Sequence, residues 1–274
     1  MMTTRGRPPG ESLVAGACAG DVVMMIDPST SARPARARPP WRSRAHALVA
    51  LRSRSAGRAG RPVGVPPSVS VVLVPGLGLD ERSSRRLREE LAATVVPLPG
   101  MGLAEPVPAV DELAARLVSA LPAGPVVLVG HSQSCQVVAA AATDPRVAGI
   151  VLCGPTTDPR MRRFRVLAWR WLRTAVAEPW WQVPLVLRQW LHTGPRAMTA
   201  LWRTASPDPI HARLHGLRVP VVVVRGTRDA LCPADWVQQV AAAAPQGRLV
   251  ELPGAVHMSV QTHPREVAAV VRSL

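Results

Sequence analysis

Residues 129–137 read Val-Gly-His-Ser-Gln-Ser-Cys-Gln-Val, preceded by the purely apolar Val126-Val127-Leu128 and followed by the alanine-rich stretch Val138–Thr143. Val126–Val129 therefore predicts a buried strand, and Gln133–Thr143 a helix that Asp144-Pro145 ends. Ser132 sits on the corner between them. A serine placed there projects its Oγ away from the backbone, and small neighbours such as Gly130 and Ser134 suit a strained turn. The free N–H groups and positive dipole end of the following helix face developing negative charge. A serine alone is a poor nucleophile and needs a base and a group to orient that base. Two later stretches offer them: Arg-Gly-Thr-Arg-Asp-Ala-Leu-Cys-Pro places Asp229 after the apolar run Val219–Val224, and Pro-Gly-Ala-Val-His-Met places His257 after Arg248–Leu252.

Other residues compete for these roles. Asp158 follows another apolar run, Val147–Leu152, and stays open as the acid; Asp235 reads as a surface residue near a helix start. His131 is expected to point away from the cleft, and His263 precedes Pro264 as part of a helix start. His192, His211 and His215 fall in a long interruption between strands. Cys135, in the first helical turn, is either a reactive thiol or a small buried side chain, and the second reading is preferred.

The elements that must position these residues form a regular alternation from Val69 onward. Val69–Val74, Val95–Leu98, Val126–Val129, Val147–Leu152, Val219–Val224 and Arg248–Leu252 read as strands. Glu81–Thr94, Val110–Leu121, Gln133–Thr143, Ala234–Ala244 and Pro264–Ser273 read as helices, the second with Val110, Leu113, Ala114 and Leu117 on one stripe. Near-continuous apolar strands alternating with helices predict an α/β fold, a mostly parallel sheet of about six strands flanked by helices. Ligands bind such sheets at the carboxyl ends of the strands, where Ser132, Asp229 and His257 all fall.

At this point the chain resembles the α/β-hydrolase superfamily over roughly residues 69–274. The resemblance rests on Val-Pro-Gly-Leu-Gly at 74–78, Gly-His-Ser-Gln-Ser at 130–134, Gly-Thr-Arg-Asp-Ala-Leu-Cys-Pro at 226–233 and Gly-Ala-Val-His at 254–257. It implies Ser132 as nucleophile, His257 as general base then acid, and Asp229 as the residue that holds the imidazole. It also implies an oxyanion hole from the backbone N–H groups of Gln133 and Leu77, with Gly78 as the alternative to Leu77. The chain departs from the family's usual pattern in three places. Ser134 stands where the elbow usually has Gly, Pro75-Gly76 stands where many members have His-Gly, and residues 1–68 do not resemble the family's first two strands. A reduced fold lacking those strands follows.

The interruption, at about 159–217, is too long to lack structure and is helical by pattern, with Met161, Phe164, Ala168, Trp171, Leu172 and Ala175 on one stripe. The family carries a helical lid here. Six of the eight tryptophans fall in it, so either they form the lid's own core or some, Trp171 and Trp181 first, wall an apolar substrate pocket. The segment also carries ten Arg against Glu178 and Asp208; a solvated basic face is preferred to one that binds membrane surfaces or acidic substrates.

All 33 basic residues are Arg, and Arg, Ala, Pro and Gly are abundant throughout, which points to coding bias rather than to a nucleic-acid footprint behind the net charge of +15. No zinc-ligand spacing or recognition-helix pattern occurs, so no nucleic acid partner, metal or cofactor is expected. Residues 1–68, with 11 Arg against three acids and many Pro and Gly, read as a disordered extension or as sequence ahead of the true start. The scattered Cys18, Cys135, Cys153 and Cys232 suit small buried thiols in a reducing compartment, no apolar run reaches the ~18 residues of a membrane span, and no export signal stands out, so a cytoplasmic protein without stable membrane insertion is expected. The leading function is a serine hydrolase acting on an ester, thioester or lactone of a small apolar acyl substrate. The alternatives are a carrier-linked thioesterase or acyltransferase, a haloperoxidase-like perhydrolase, and a ligand-binding protein on this fold without turnover.

Overall fold

The computed structural model describes residues 69–274; the expectations for residues 1–68, Cys18 included, lie outside the described residues. The first half contains β1 (Ser70–Val74), a 3-10 turn at Glu81–Ser84, α1 (Arg85–Leu91), β2 (Thr94–Val95), the short pair β3 (Leu98–Pro99) and β4 (Gly102–Leu103), and α2 (Val110–Ser119). Then come β5 (Val126–His131), α3 (Ser134–Ala141) and β6 (Val147–Cys153). A helical insertion follows, with a 3-10 turn at Pro159–Arg162, α4 (Phe164–Ala177), α5 (Gln182–Thr193), α6 (Pro195–Ala205) and α7 (Ile210–His215). The chain closes with β7 (Val221–Gly226), α8 (Ala234–Ala242), β8 (Gly247–Leu252), α9 (Ser259–Thr262) and α10 (Pro264–Val271).

Six strands form one parallel sheet in the order β2-β1-β5-β6-β7-β8. Successive residues of each strand point to opposite faces, and in β1, β5, β6 and β7 both faces are covered, which is why these strands read as near-continuous apolar runs, whereas the edge strand β8 is partly exposed. Val72, Leu128, Ile150 and Val223 enter the core shared with α2, α3, α7 and α8. Leu73, Val129, Val151 and Val224 enter the core shared with α1 and α10. The expected single helix over 81–94 is divided: Ala92 takes a left-handed φ of 51° and ends α1, so that Thr94 and Val95 pair with Val72 and Leu73 as the edge strand.

The insertion contributes to the main core through Leu201, Ala205, Ile210 and Leu214. Helices α4 and α5 are built differently. The buried residue of α4 is Thr174, and those of α5 are Gln182, Gln189 and Thr193, all polar. The apolar stripe read from the sequence is split: Met161 is buried, whereas Phe164, Trp171 and Leu172 are exposed.

Candidate active site

The corner at Ser132 is shaped by contacts on every side. Ser132 is a non-glycine residue at φ 58°, in the left-handed region that costs an L-residue energy. Its N–H donates to Cys153 O at 2.8 Å, tying the corner to the end of β6. Gly130 is closely packed: a Cβ there would lie 3.1 Å from Cys135 Cα and 3.1 Å from Val138 Cγ2 in α3, tighter than ordinary contact. Ser134, at the usual glycine position, uses its hydroxyl: Oγ accepts from His131 N–H at 2.7 Å and donates to Val74 O at 2.8 Å. Through these two bonds the hydroxyl links the end of β5 to the end of β1. A Cβ on Gly76 would lie 3.1 Å from Ser132 Cβ, so the loop after β1 passes directly against the serine.

Asp229 and His257 follow β7 and β8, and His257 Nδ1–H donates to Asp229 Oδ2 at 2.7 Å. Both residues are buried. Asp229 Oδ1 accepts from the N–H groups of Leu231 at 2.9 Å and Cys232 at 3.3 Å, which fixes the carboxylate plane. Burial opposes the charged imidazolium, but the charge and hydrogen bond of Asp229, with the charge of Glu178, carry the His257 pKa above its ordinary value. Gly154, at φ 62°, passes close to the imidazole; a Cβ there would lie 3.1 Å from His257 Cε1. Ser132 Oγ is 3.4 Å from Thr156 Oγ1 and makes no hydrogen bond to His257 among the described residues. Such bonds are often long before substrate binds.

Asp158, the competing acid, is elsewhere engaged: Arg160 Nε donates to it at 2.9 Å and Arg170 at 2.5 Å. Asp235 pairs with Arg160 on the surface. His131 is the last residue of β5. It is buried, its Nε2–H donates to the carbonyl oxygen of His257 at 3.0 Å, and the two rings lie 5.1 Å apart. Burial, with the nearby His257, lowers its pKa to about 3, so it is neutral and braces the His257 backbone. In the loop after β1, Gly78 N–H donates to Gly100 O at 2.8 Å, while the N–H groups of Leu77 and Gln133 take no partner among the described residues. The Gln133 carboxamide is buried and likewise has neither atom bonded.

The ligand atoms of Asp229, Cys232 and His257 lie within 4.8 Å of one another. Their chemistry is that of a hydrogen-bonded group rather than a metal-ligand set. Burial pushes the Cys232 thiol well above its ordinary pKa, its Sγ donates to Pro155 O at 2.8 Å, and Asp229 and His257 bond to each other. Cys135, Cys153 and Cys232 are all free and buried, and burial raises the pKa of each.

Four polar residues of the insertion, not singled out as site residues from the sequence, reach the loops of the site. Thr174 Oγ1 accepts from the N–H groups of Ala230 and Leu231, both at 3.2 Å, next to Asp229. Glu178 Oε1 accepts from Met258 N–H at 2.7 Å, next to His257. Gln189 Oε1 accepts from Asp80 N–H at 2.8 Å, and Thr193 Oγ1 donates to Gly78 O at 3.2 Å. One pair carried a signal: Gln189 and Thr193 are four residues apart in α5, which puts them on one helix face. Trp171 is half-exposed, with its ring 6.0 Å from that of Trp190, and a Cβ on Gly78 would lie 2.7 Å from Trp190 Cδ1. Trp181 is also partly exposed and lies under the Arg86 guanidinium, 4.9 Å from the ring centroid.

Among solved structures, the fold is similar to that of olei00960, a hydrolase from Oleispira antarctica, at 18% identity and a TM-score of 0.62 over 76% of this chain and 91% of that one. A thermophilic esterase from Thermogutta terrifontis is 24% identical, with a TM-score of 0.56 over 77% and 90% of the two chains. Est816, an N-acyl homoserine lactone degrading enzyme, is 19% identical, with a TM-score of 0.58 over 77% and 94%. A search of curated proteins finds no match. The model of one family, described as the alpha/beta hydrolase family, matches residues 71–270, nearly all of the described chain. The chain belongs to the alpha/beta hydrolase family.

Proposed function

We propose that the protein is a serine hydrolase that cleaves a carboxylic ester, thioester or lactone through an acyl-enzyme on Ser132. The observation that carries this reading is the combination of a strained Ser132 at φ 58° with an Asp229–His257 pair bonded at 2.7 Å on neighbouring strand ends. Nδ1 of His257 is occupied by Asp229, which leaves Nε2 as the base. Ser132 Oγ adds to the substrate carbonyl carbon as its proton passes to Nε2. The carbonyl oxygen, now negative, accepts from the free N–H groups of Gln133, at the start of α3, and Leu77, in the loop after β1; the dipole of α3 also favours negative charge there. Collapse expels the alcohol, thiol or ring oxygen, which takes the proton from Nε2. Water then adds to the acyl carbon, gives its proton to Nε2, and the acid leaves as Ser132 Oγ is reprotonated.

Trp190, against Gly78 of the loop after β1, and its neighbour Trp171 supply an apolar wall that selects a small apolar acyl group. A lactone belongs in the substrate class on the likeness to Est816. Helices 159–217 act as the lid, and a cytoplasmic setting suits the three free thiols. A fluorophosphonate is expected to add covalently at Ser132 and Ser132→Ala to abolish labelling. Peptide mapping that finds the adduct on another residue would end the assignment.

A further inference from the structure

We infer that the outward face of α4 and α5 docks the protein onto an anionic lipid surface. All the large hydrophobic side chains that are exposed among the described residues fall in one segment, 164–191. Phe164, Val176, Trp180 and Leu191 are each 78–83% exposed. Helix α5 directs Val183, Leu187 and Leu191, one residue per turn, to the outside, while Gln182, Gln189 and Thr193 face inward. The two helices are thus inverted relative to an ordinary surface helix, with polar groups spent on holding the site loops and apolar groups left outside. Exposed apolar side chains collected on one helical segment in this number mark an interaction site.

Charge selects the occupant. Arg163, Arg165, Arg173 and Arg188 are exposed on the same two helices and their approach, and none makes an ion pair among the described residues. Neither acid of the insertion is free to neutralise them. Asp208 is paired with Arg213, and Glu178 is bonded to Met258 N–H and Gln182. A second copy of this chain would bring arginine against arginine with no facing carboxylate, an arrangement that disfavours association. Tryptophan and leucine flanked by arginine suit the boundary between anionic headgroups and acyl chains. No helix among the described residues is long and apolar enough to cross a membrane, so the surface is one that lies on a bilayer. Its inner side is bonded to the loops carrying Asp229, His257 and Gly78, so docking brings those loops to the lipid.

The test is co-sedimentation of the full chain with vesicles of pure phosphatidylcholine and with vesicles containing one-third phosphatidylglycerol, at low and high salt. Binding is expected only to the anionic vesicles, weakened by salt, with a blue shift of tryptophan emission. Each neutralised arginine is expected to weaken partitioning about five-fold, so Arg165→Ala with Arg173→Ala weakens it about 25-fold. Leu187→Asp with Leu191→Asp, both exposed and without a role in the core, is expected to abolish binding while leaving the melting temperature and fluorophosphonate labelling unchanged. Equal binding of wild type and both variants would overturn the inference and assign any lipid affinity to the 11 arginines of residues 1–68. So would equal binding to the two vesicle types, or a lipid-free dimer that Leu187→Asp dissociates. Because labelling at Ser132 is read separately, failure of docking leaves the hydrolase reading standing, and failure of labelling leaves the docking result standing.

Discussion

Asp229→Asn tests the site in a way the surrounding hydrogen bonds make specific. Asp229 Oδ1 accepts from the N–H groups of Leu231 and Cys232, and Oδ2 accepts from His257 Nδ1. Asparagine has one acceptor oxygen and one NH₂ group. Turning the NH₂ toward the two backbone N–H groups would set donor against donor in a buried site, at about 1–3 kcal/mol for each group left unsatisfied. The oxygen therefore stays with Leu231 and Cys232, and the NH₂ faces His257. His257 must then accept at Nδ1 and carry its proton on Nε2, the atom that has to receive the proton of Ser132. The imidazolium formed in the reaction also loses its counter-charge. The expected loss is about 10²–10⁴ in kcat, equivalent to about 2.7–5.5 kcal/mol of barrier. The assay is hydrolysis of an aryl acetate, with circular dichroism to confirm the fold. Asp158→Asn is the control: its carboxylate is held by Arg160 and Arg170, so it should lower the melting temperature and leave kcat near wild type. A large loss in Asp158→Asn with little change in Asp229→Asn would refute the argument.

Glu178→Gln keeps an acceptor for Met258 N–H but removes a negative charge that helps hold the His257 pKa up, alongside Asp229, while the nearby His131 stays neutral. Activity requires neutral His257, so the rising limb of kcat/KM against pH should move to lower pH with its plateau retained; an unmoved limb would show that Glu178 has no electrostatic part. Ser132→Gly and Ser132→Ala are both expected to be inactive, but the glycine variant should be more stable by about 1 kcal/mol in urea unfolding, since φ 58° is open to glycine and strained for alanine. Equal stabilities would mean that the corner stores no strain.

The order of strands and helices was legible from the sequence because strands buried on both faces read as continuous apolar runs. Val126–Leu128 and Val221–Val224 needed no tertiary information to be found. The placement of Ser132, Asp229 and His257 on one edge of the sheet was also foreshadowed, because every strand of a parallel sheet ends on the same edge and each of the three lies just past a strand. Boundaries set by single residues were not legible. Ala92 adopts a left-handed backbone and cuts off α1, although alanine carries no sequence mark of a helix end. The least legible feature was the orientation of α4 and α5. Periodicity states that a helix has two unlike faces, but it does not say which one is inside. That depends on what lies beneath, and here the loops beneath present backbone N–H and C=O groups at Gly78, Asp80, Ala230, Leu231 and Met258. Burying those groups without partners would cost more than exposing a row of apolar side chains. Thr174, Glu178, Gln189 and Thr193 therefore turn inward, and Phe164, Leu187 and Leu191 turn out.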